Sequence, residues 1–440
     1  MSQSPPTELV ERYRTRAPRY TSYPTAPQFA PLGDGVVEAA LSRVSGPVSL
    51  YVHVPFCKHL CLYCGCHVEI RETRSVGTAY VDGLLAELDL QLKHVPPTSL
   101  DQLALGGGTP TFLLPADMER LVRGVTARLP RRPGADFSIE IDPRTVDAAY
   151  LHTLVDLGFN RYSFGVQDFD PEVLAQVARP QSYEQVRDAV DTLRSRGDFN
   201  LNLDLMYGLP GQNPEQFART LAQLVSLRPT RVALFHYAHV PWLKPAQKVL
   251  EKKGLPDSVL KAQLFGMADA ALGAAGYRII GMDHYALPGD ELLSAAESGT
   301  LLRNFMGYTT RAGLDQLGVG VSAIASFAGI YAQDLKSRAE WAARIDAGLL
   351  PVERGWVLSE EDVRRRSIIM ELFCNFSADI PADMVVERNR LRPLEDDALV
   401  TWSGQRLAVT PLGRHFVRNV CAVFDSYLED PGNRRYSMTA

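Results

Sequence analysis

The chain has 440 residues, of which 46% are hydrophobic and 22% charged, and its net charge is −5 at neutral pH. This composition is that of a globular protein long enough for two domains, and it excludes extensive disorder. The charge gives no overall positive field for nucleic acid or an anionic membrane, and no run of about eighteen apolar residues suits a bilayer span. Because the N-terminus also lacks the apolar segment of a secretory signal, we expect a cytoplasmic protein that binds neither nucleic acid nor membrane.

The predicted elements begin after an irregular, proline-rich segment. From residue 48 a rhythm of short apolar runs and amphipathic stretches sets in. The runs predict strands at 48–54, 101–108, 136–142, 161–167, 199–210 and 231–238. Each strand is followed by a predicted helix, at 79–95, 115–129, 145–158, 182–197, 213–227 and 258–276. Ser182 is placed to cap the fourth of these helices.

Six strand–helix units in succession predict an α/β fold with a parallel sheet that curves into a partial barrel. The chemistry of such sheets lies at the carboxyl ends of the strands. Polar residues occur at several of those ends, so we expect them to converge on one rim: the cysteines after the first strand, GGGTPT after the second, Glu140 and Asp142 in the third, Gln167 after the fourth and Asp204 in the fifth. After about residue 340 the rhythm changes, and residues 341–440 predict a second, mostly helical domain.

Four of the six cysteines lie within ten positions, in YVHVPFCKHLCLYCGCH (51–67), with the spacing C-x3-C-x2-C-x-C. Disulfides are disfavoured in a reducing compartment. Zinc sites usually use two separated ligand pairs, although three nearby histidines keep zinc open as an alternative. Compact cysteine spacings are typical of iron–sulfur clusters. A loop of three cysteines would leave one iron of a four-iron cluster open to a substrate or cofactor. The spacing alone therefore favours a cluster over zinc without deciding between them.

Beyond spacing, the sequence resembles a known family. The C-x3-C-x2-C pattern after a first strand resembles that of radical S-adenosylmethionine (SAM) enzymes. Over essentially the whole chain and in order, further stretches resemble the oxygen-independent coproporphyrinogen III oxidases (dehydrogenases): PRYTSYPTA (18–26), GGGTPTFL (106–113), GFNRYSFGVQDF (158–169), DLMYGLPGQ (204–212), GMDHYALPGDEL (281–292) and RNFMGYTT (303–310). The resemblance implies a radical SAM partial (β/α)6 barrel at 48–340, an N-terminal segment over the cleft at 1–47 and a helical C-terminal domain at 341–440.

The resemblance also implies the cofactors and the residues that hold them. A [4Fe-4S] cluster would be bound by Cys57, Cys61 and Cys64, whereas Cys66 would not be a ligand. We interpret Cys66 as a small buried thiol in preference to a catalytic group. Two SAM molecules would be bound. The first would contact Tyr51, Tyr63, Gly107, Glu140 and Ile324. The second would contact Gly108, Thr109, Gln167, Arg179, Asp204 and Ala238.

The activity implied by the resemblance is the oxidative decarboxylation of two propionates of coproporphyrinogen III to vinyl groups, giving protoporphyrinogen IX for haem synthesis. Tyr51, Glu140 and Arg19 are the candidate catalytic residues, with Arg19 placed to grip a propionate because arginine binds carboxylates through two hydrogen bonds. A low-potential reductant such as flavodoxin or ferredoxin would supply electrons, and a monomer is expected. The family commonly has glutamine where this chain has Met306, which affects the expected placement of substrate or SAM.

Three alternatives remain at this point. A two-SAM radical methyltransferase on the same scaffold would release S-adenosylhomocysteine, and a related haem chaperone would bind haem without turnover. The PRYTSYPTA segment argues against both, and the fourth cysteine argues against the chaperone. A zinc-stabilised structural protein would give a colourless preparation.

Overall fold

The computed structural model describes residues 5–311, 313–428 and 436–439. The strands are β1 (Val48–Val54), β2 (Phe56–Cys57), β3 (Glu69–Ile70), β4 (Leu100–Gly107), β5 (Arg131–Ile141), β6 (Arg161–Gln167), β7 (Asn200–Tyr207), β8 (Arg231–His236), β9 (Arg278–Ile280), β10 (His284–Ala286), β11 (Leu302–Asn304), β12 (Gly307–Thr309), β13 (Asp315–Val319), β14 (Ile324–Phe327), β15 (Ile330–Asp334), β16 (Val352–Val357), β17 (Ser377–Asp379), β18 (Val400–Ser403) and β19 (Arg406–Val409).

The α-helices are α1 (Thr7–Arg12), α2 (Val36–Leu41), α3 (Val76–Leu92), α4 (Pro115–Arg128), α5 (Ala148–Asp156), α6 (Pro171–Gln176), α7 (Tyr183–Arg194), α8 (Pro214–Leu227), α9 (Lys248–Glu251), α10 (Ser258–Ala274), α11 (Glu291–Glu297), α12 (Arg338–Asp346), α13 (Glu360–Asn375), α14 (Val385–Arg390), α15 (Arg392–Asp396) and α16 (Val417–Ala422). None of the helices within these described ranges is long and apolar enough to cross a membrane.

One large sheet organises the molecule. Its strand order is β16-β15-β14-β13-β1-β4-β5-β6-β7-β8-β10-β9. The six predicted strands, β1 and β4 to β8, are adjacent and parallel. β1 and β4 are almost entirely buried, whereas β6 and β7 alternate buried apolar residues with polar residues that line the cavity inside the barrel. The predicted α/β fold with a curved parallel sheet is confirmed.

Individual elements agree with the sequence patterns to different extents. β1 and β6 have the predicted bounds. Ser182 caps α7 as predicted, and it forms a capping box in which its hydroxyl accepts from the Gln185 amide while the Gln185 side chain accepts from the Ser182 amide. Helix α6 was not predicted, because six residues are too few to show helical periodicity.

The C-terminal part packs against the N-terminal segment. Helices α13 to α16 and the three-stranded sheet β17-β19-β18 enclose a second apolar cluster, which also includes Tyr20 and Tyr23. The buried guanidinium of Arg418 connects both chain termini, because it donates to the carbonyl oxygens of Pro18 at 3.2 Å and Met438 at 2.7 Å. Helix α12 and β16, which lie at and beyond the predicted boundary at 340, pack with the large sheet. The division into 1–47, 48–340 and 341–440 stays a prediction.

Candidate functional site

A cavity of about 510 Å³ opens at the carboxyl ends of the parallel strands and extends into the barrel. The sheet register places side chains from adjacent strands beside one another on its wall, because Glu140 pairs with Ser163 and Ser163 pairs with Asn202. The structure brings most of the sequence-predicted site residues into this lining: Tyr51, Cys57, Cys61, Tyr63, Cys64, Gly107, Gly108, Thr109, Glu140, Gln167, Arg179 and Asp204. Their convergence follows from the βα order, while their binding roles stay predictions.

Three predicted residues lie elsewhere. Ala238 follows β8, where its carbonyl oxygen accepts from the Gln247 side chain at 3.3 Å. Ile324 begins β14, and its carbonyl oxygen accepts from Gln316 at 3.1 Å. Arg19 lines a second, smaller cavity between the barrel and the C-terminal helices. None of these three residues is part of the large cavity's wall. A ligand in that cavity could contact them only if it extended beyond the wall.

The cysteine loop follows β1 and is held by backbone hydrogen bonds. The Leu62 amide donates to the Val177 carbonyl at 3.0 Å, and the Cys64 amide donates to the Cys61 carbonyl at 3.0 Å. All four cysteines carry free thiols and line the cavity. Cys66 corrects an expectation, because it is exposed and faces the cavity instead of being packed as a buried thiol. Its position at the end of the loop, beyond the two backbone anchors, explains the exposure.

Two arginines surround the Cys61 sulfur. The Nη1 of Arg179 lies 3.4 Å from that sulfur, and the Nη2 of Arg144 lies 3.7 Å from it. Both guanidiniums share the carboxylate of Asp142, at 3.3 Å and 2.6 Å respectively. Burial acts to raise the pKa of Asp142, but the hydrogen bonds and charges of the two arginines lower it below its ordinary value. An ionised Asp142 therefore holds both cations beside a sulfur that carries negative charge when it binds iron.

A glycine turn after β4 brings the backbone close to the cysteine loop. Gly107 has φ +117°, which favours glycine, and its amide donates to Glu140 at 3.2 Å. A Cβ on Gly108 would lie 2.6 Å from the Pro55 carbonyl oxygen and 3.0 Å from the Cys57 sulfur. The backbone therefore approaches the cysteine loop more closely than any side chain would permit.

Two carboxyl groups in the cavity have unusual proton affinity. Burial raises the pKa of Glu140 to about 7. Burial, followed by the charge of Glu140, raises the pKa of Asp204 to about 7, although Asn202 donates to Asp204 at 2.6 Å. Raised pKa values of this kind are expected for buried carboxyl groups at a site where a ligand brings the positive charge.

The residues present fit an iron–sulfur cluster and SAM. Among the described residues, no three His, Cys, Asp or Glu groups approach one point closely enough to hold a single metal ion. The thiols of Cys57, Cys61 and Cys64 line one cavity, and thiolates are the ligands of iron–sulfur clusters. Two buried nitrogens at this wall, Nε of Arg179 and Nη1 of Arg144, have no hydrogen-bond partner in the part of the chain that the structure describes. Cys57, Cys61 and Cys64 would hold the cluster, and the glycine turn with Glu140 and Asp204 would accommodate a cationic amino acid.

Comparison with known proteins decides the family. A family model described as the radical SAM superfamily matches residues 51–224. The oxygen-independent coproporphyrinogen III oxidase of Pseudomonas aeruginosa is 39% identical, over 98% of this chain and 97% of that protein. The chain belongs to the oxygen-independent coproporphyrinogen III oxidase family. The Escherichia coli member is 39% identical over 96% of this chain and 95% of that protein. A solved structure of the E. coli coproporphyrinogen III oxidase, described as a radical SAM enzyme, matches with a TM-score of 0.91, 38% identity and coverage of 97% of this chain and all of that one.

Within this family member, sequence reasoning missed part of the site. Arg144 lies next to Cys61, and an Asp-x-Arg sequence directly after a strand was the signal that could have indicated it. His284 and Arg303 occur in two of the stretches that resemble the family, GMDHYALPGDEL and RNFMGYTT, which give neither residue a defined role, and both line the cavity. Their strands, β10 and β11, lie after the last predicted βα unit, where the sequence carries no periodic signal.

Proposed function

We propose that this protein oxidatively decarboxylates two propionate side chains of coproporphyrinogen III to vinyl groups, giving protoporphyrinogen IX. The observation that carries the proposal is full-length similarity to oxidases of this name combined with a strand-end cavity that contains every cysteine of the loop. Radical SAM family membership supports a [4Fe-4S] cluster and SAM as cofactors. We include a second SAM molecule, a low-potential reductant such as flavodoxin or ferredoxin, a monomeric state and a cytoplasmic location in the proposal.

When bound, the cluster and SAM supply one-electron cleavage chemistry that produces a carbon radical able to remove a substrate hydrogen. The chain's own residues bind and orient the reactants. Arg144 and Arg179 place positive charge beside the cysteine loop. Glu140 and Asp204 offer carboxylates to an ammonium group, which is a charge-assisted pairing. The cavity extends into the barrel, so the barrel wall limits the access of water to the reacting groups.

The test is an anaerobic reconstitution with iron and sulfide, followed by SAM, a reductant and coproporphyrinogen III. We expect protoporphyrinogen IX together with CO2, methionine and 5′-deoxyadenosine. A product that carries a methyl group, with release of S-adenosylhomocysteine, would instead identify a methyltransferase. Stable haem binding without any porphyrin product would identify a haem chaperone.

A further inference from the structure

A cluster of buried charges adjoins the catalytic cavity at its β10 and β11 side. Asp283 lies at its centre and accepts a hydrogen bond from Nδ1 of His284 at 2.7 Å. The guanidinium of Arg303 lies 3.7 Å from the same carboxylate, and the side chains of Arg303 and Asp283 are 7% and 5% exposed. Arg19 approaches the carboxylate from the second cavity and acts on it electrostatically. Three elements that are distant in sequence thus contribute to a single charged cluster.

The cluster contains more positive than negative charge. Burial acts to raise the pKa of Asp283, but Arg303, His284 and Arg19 together lower it below its ordinary value, so this carboxyl is ionised. Two arginines then share one carboxylate, which leaves a net positive charge in a buried environment. An uncompensated buried charge is unfavourable, because it has lost its hydration without gaining a partner. An anionic ligand would remove that cost.

Arg303 is the cation that can reach such a ligand. It lines the catalytic cavity, whereas Arg19 does not. The guanidinium carbon lies 4.8 Å from the centroid of the Tyr308 ring and 5.0 Å from that of Phe373, so aromatic rings hold the side chain. Its Nη1 donates to the Tyr308 hydroxyl at 3.0 Å. Its Nε is buried and has no hydrogen-bond partner among the described residues, so the guanidinium has an unsatisfied donor, as expected where a ligand carboxylate completes its hydrogen bonding.

The surface around Arg303 has the character of a tetrapyrrole-binding wall. Phe235, Phe305, Met306 and Tyr308 also line this part of the cavity. The ring of His284 packs edge-on against Tyr308, with centroids 4.9 Å apart. Aromatic and thioether surfaces suit flat apolar rings, and a guanidinium set among them suits a carboxylate attached to those rings.

We infer that Arg303 binds one propionate carboxylate of the porphyrinogen through two hydrogen bonds, with His284 beside it and with Asp283 as the positioning residue for both. This inference rests on the proposed function, because it assigns a substrate contact within the same cavity. Arg19 contributes positive charge from behind Asp283 and does not touch the bound carboxylate. Met306, where the family commonly has glutamine, belongs to the same proposed contact surface, because its thioether lies on the same cavity wall as Arg303.

The experiment compares Arg303→Met, Arg303→Lys and wild type, all reconstituted with the cluster. The probe is coproporphyrin III, a stable fluorescent analogue with four carboxylates, and binding is followed by fluorescence anisotropy. Loss of charge-assisted hydrogen bonds predicts binding that is weaker by about 10-fold or more in Arg303→Met. The KM for coproporphyrinogen III should rise in parallel, while SAM affinity stays within about 2-fold of wild type. Arg303→Lys, which retains the charge without the planar fork, should fall between the two.

Arg278→Met is the matched control. Arg278 lies on β9, next to β10, and pairs with Glu297 on the exposed surface, so its loss should leave coproporphyrin affinity unchanged.

Unchanged coproporphyrin affinity in Arg303→Met would overturn the inference, and so would an equal loss of SAM affinity, because that indicates general disruption of the site. If Arg303→Met does not fold, Arg303→Lys decides: wild-type affinity overturns the two-hydrogen-bond contact, and selective loss supports it. Failure of wild type to bind or convert the porphyrin substrate would refute the proposed function itself, and the inference with it.

Discussion

At the scale of single residues, the cysteines of the loop differ in their surroundings. Cys61 is 8% exposed and lies beside two arginine side chains, whereas Cys66 is exposed to the cavity. A thiolate inside a cationic surrounding is well suited to bind iron, and an exposed thiol at the loop end has no comparable support.

We therefore expect Cys61→Ser to lose nearly all reconstituted iron and the brown absorbance of the cluster. Cys66→Ser should retain both within about 20% of wild type, because Cys66 is not one of the three proposed ligands. Iron and sulfide analysis with visible absorption spectra measures this difference. Equal iron loss in the two variants would mean that the fourth cysteine also holds the cluster.

Asp204 and Glu140 predict the pH dependence of SAM binding. The pKa of each is raised to about 7, so the empty site carries protonated carboxyls below that pH. A protonated carboxyl does not attract the positive charge of SAM. SAM affinity should therefore rise as pH increases through about 7, and below that pH each carboxyl should lower it by up to about 10-fold per pH unit.

Equilibrium dialysis of SAM between pH 5.5 and 8.5 on the reconstituted protein measures this dependence. Asp204→Asn keeps the side-chain shape and removes one titrating group, so its affinity should be lower above pH 7 and should depend less steeply on pH. An affinity in wild type that stays constant over the whole range would refute a role for these carboxylates in SAM binding.

At the scale of elements, the junction between β4 and the cysteine loop depends on backbone contact. Gly108→Ala places a methyl group 2.6 Å from the Pro55 carbonyl oxygen and forces the two segments apart. Overpacking of this kind costs about 1–3 kcal/mol. We expect a lower Tm of the apoprotein together with reduced iron loading, because the displaced segment carries Cys57.

Gly273→Ala is the control for that substitution. Gly273 lies in α10, and a Cβ there meets nothing within 4 Å. Replacing a helical glycine by alanine should leave iron loading unchanged and stabilise the protein by up to about 1 kcal/mol. Thermal unfolding and iron analysis of both variants test the comparison. Wild-type iron loading in Gly108→Ala would show that the loop tolerates the displacement.

The elements that could be predicted from the sequence are those whose signal is local. β1 is a mostly apolar run and β6 alternates apolar and polar residues, and the order of the strands alone places the loop cysteines, Glu140 and Asp204 at one edge of the sheet. The parallel pairing of β13 with β1 joins segments more than 250 residues apart, and no periodicity indicates such a partner.

Arg303 was equally difficult to predict, because its role depends on Asp283 and on Phe373 of a C-terminal helix. Local patterns therefore specify the barrel, whereas tertiary packing completes the substrate wall.

At the scale of the whole molecule, a buried carboxyl pair connects the sheet with its helical cover. Glu87 of α3 accepts from the Gly320 amide at 2.8 Å and from the Trp341 indole of α12 at 2.9 Å. It also hydrogen-bonds to Asp334 at the end of β15. Burial is the largest cause that raises the pKa of Glu87 to about 7, and burial with the charge of Glu87 raises the pKa of Asp334 well above its ordinary value. Below about pH 7 both carboxyls are therefore protonated, and above it Glu87 ionises while Asp334 keeps its proton.

This pair predicts that the folded protein loses stability as pH rises through neutrality. The folded-state pKa of Glu87, about 7, exceeds its ordinary value of 4.5, so the folded state binds more protons between these values. The stability that this contributes is complete below about pH 4.5 and is lost as pH increases through about 7, and the raised pKa of Asp334 acts in the same direction. Glu87→Gln keeps the acceptor oxygen and supplies a permanent donor to Asp334, so it should raise the Tm by a few degrees at pH 8.5 and little at pH 5.5. Glu340→Gln, at an exposed position of α12, should leave the pH profile unchanged.

Differential scanning calorimetry of the apoprotein between pH 5.5 and 8.5 measures the Tm of wild type and both variants. If Glu87→Gln instead lowers the Tm most strongly at high pH, the ionised Glu87 stabilises the folded protein, which would contradict the predicted loss of stability.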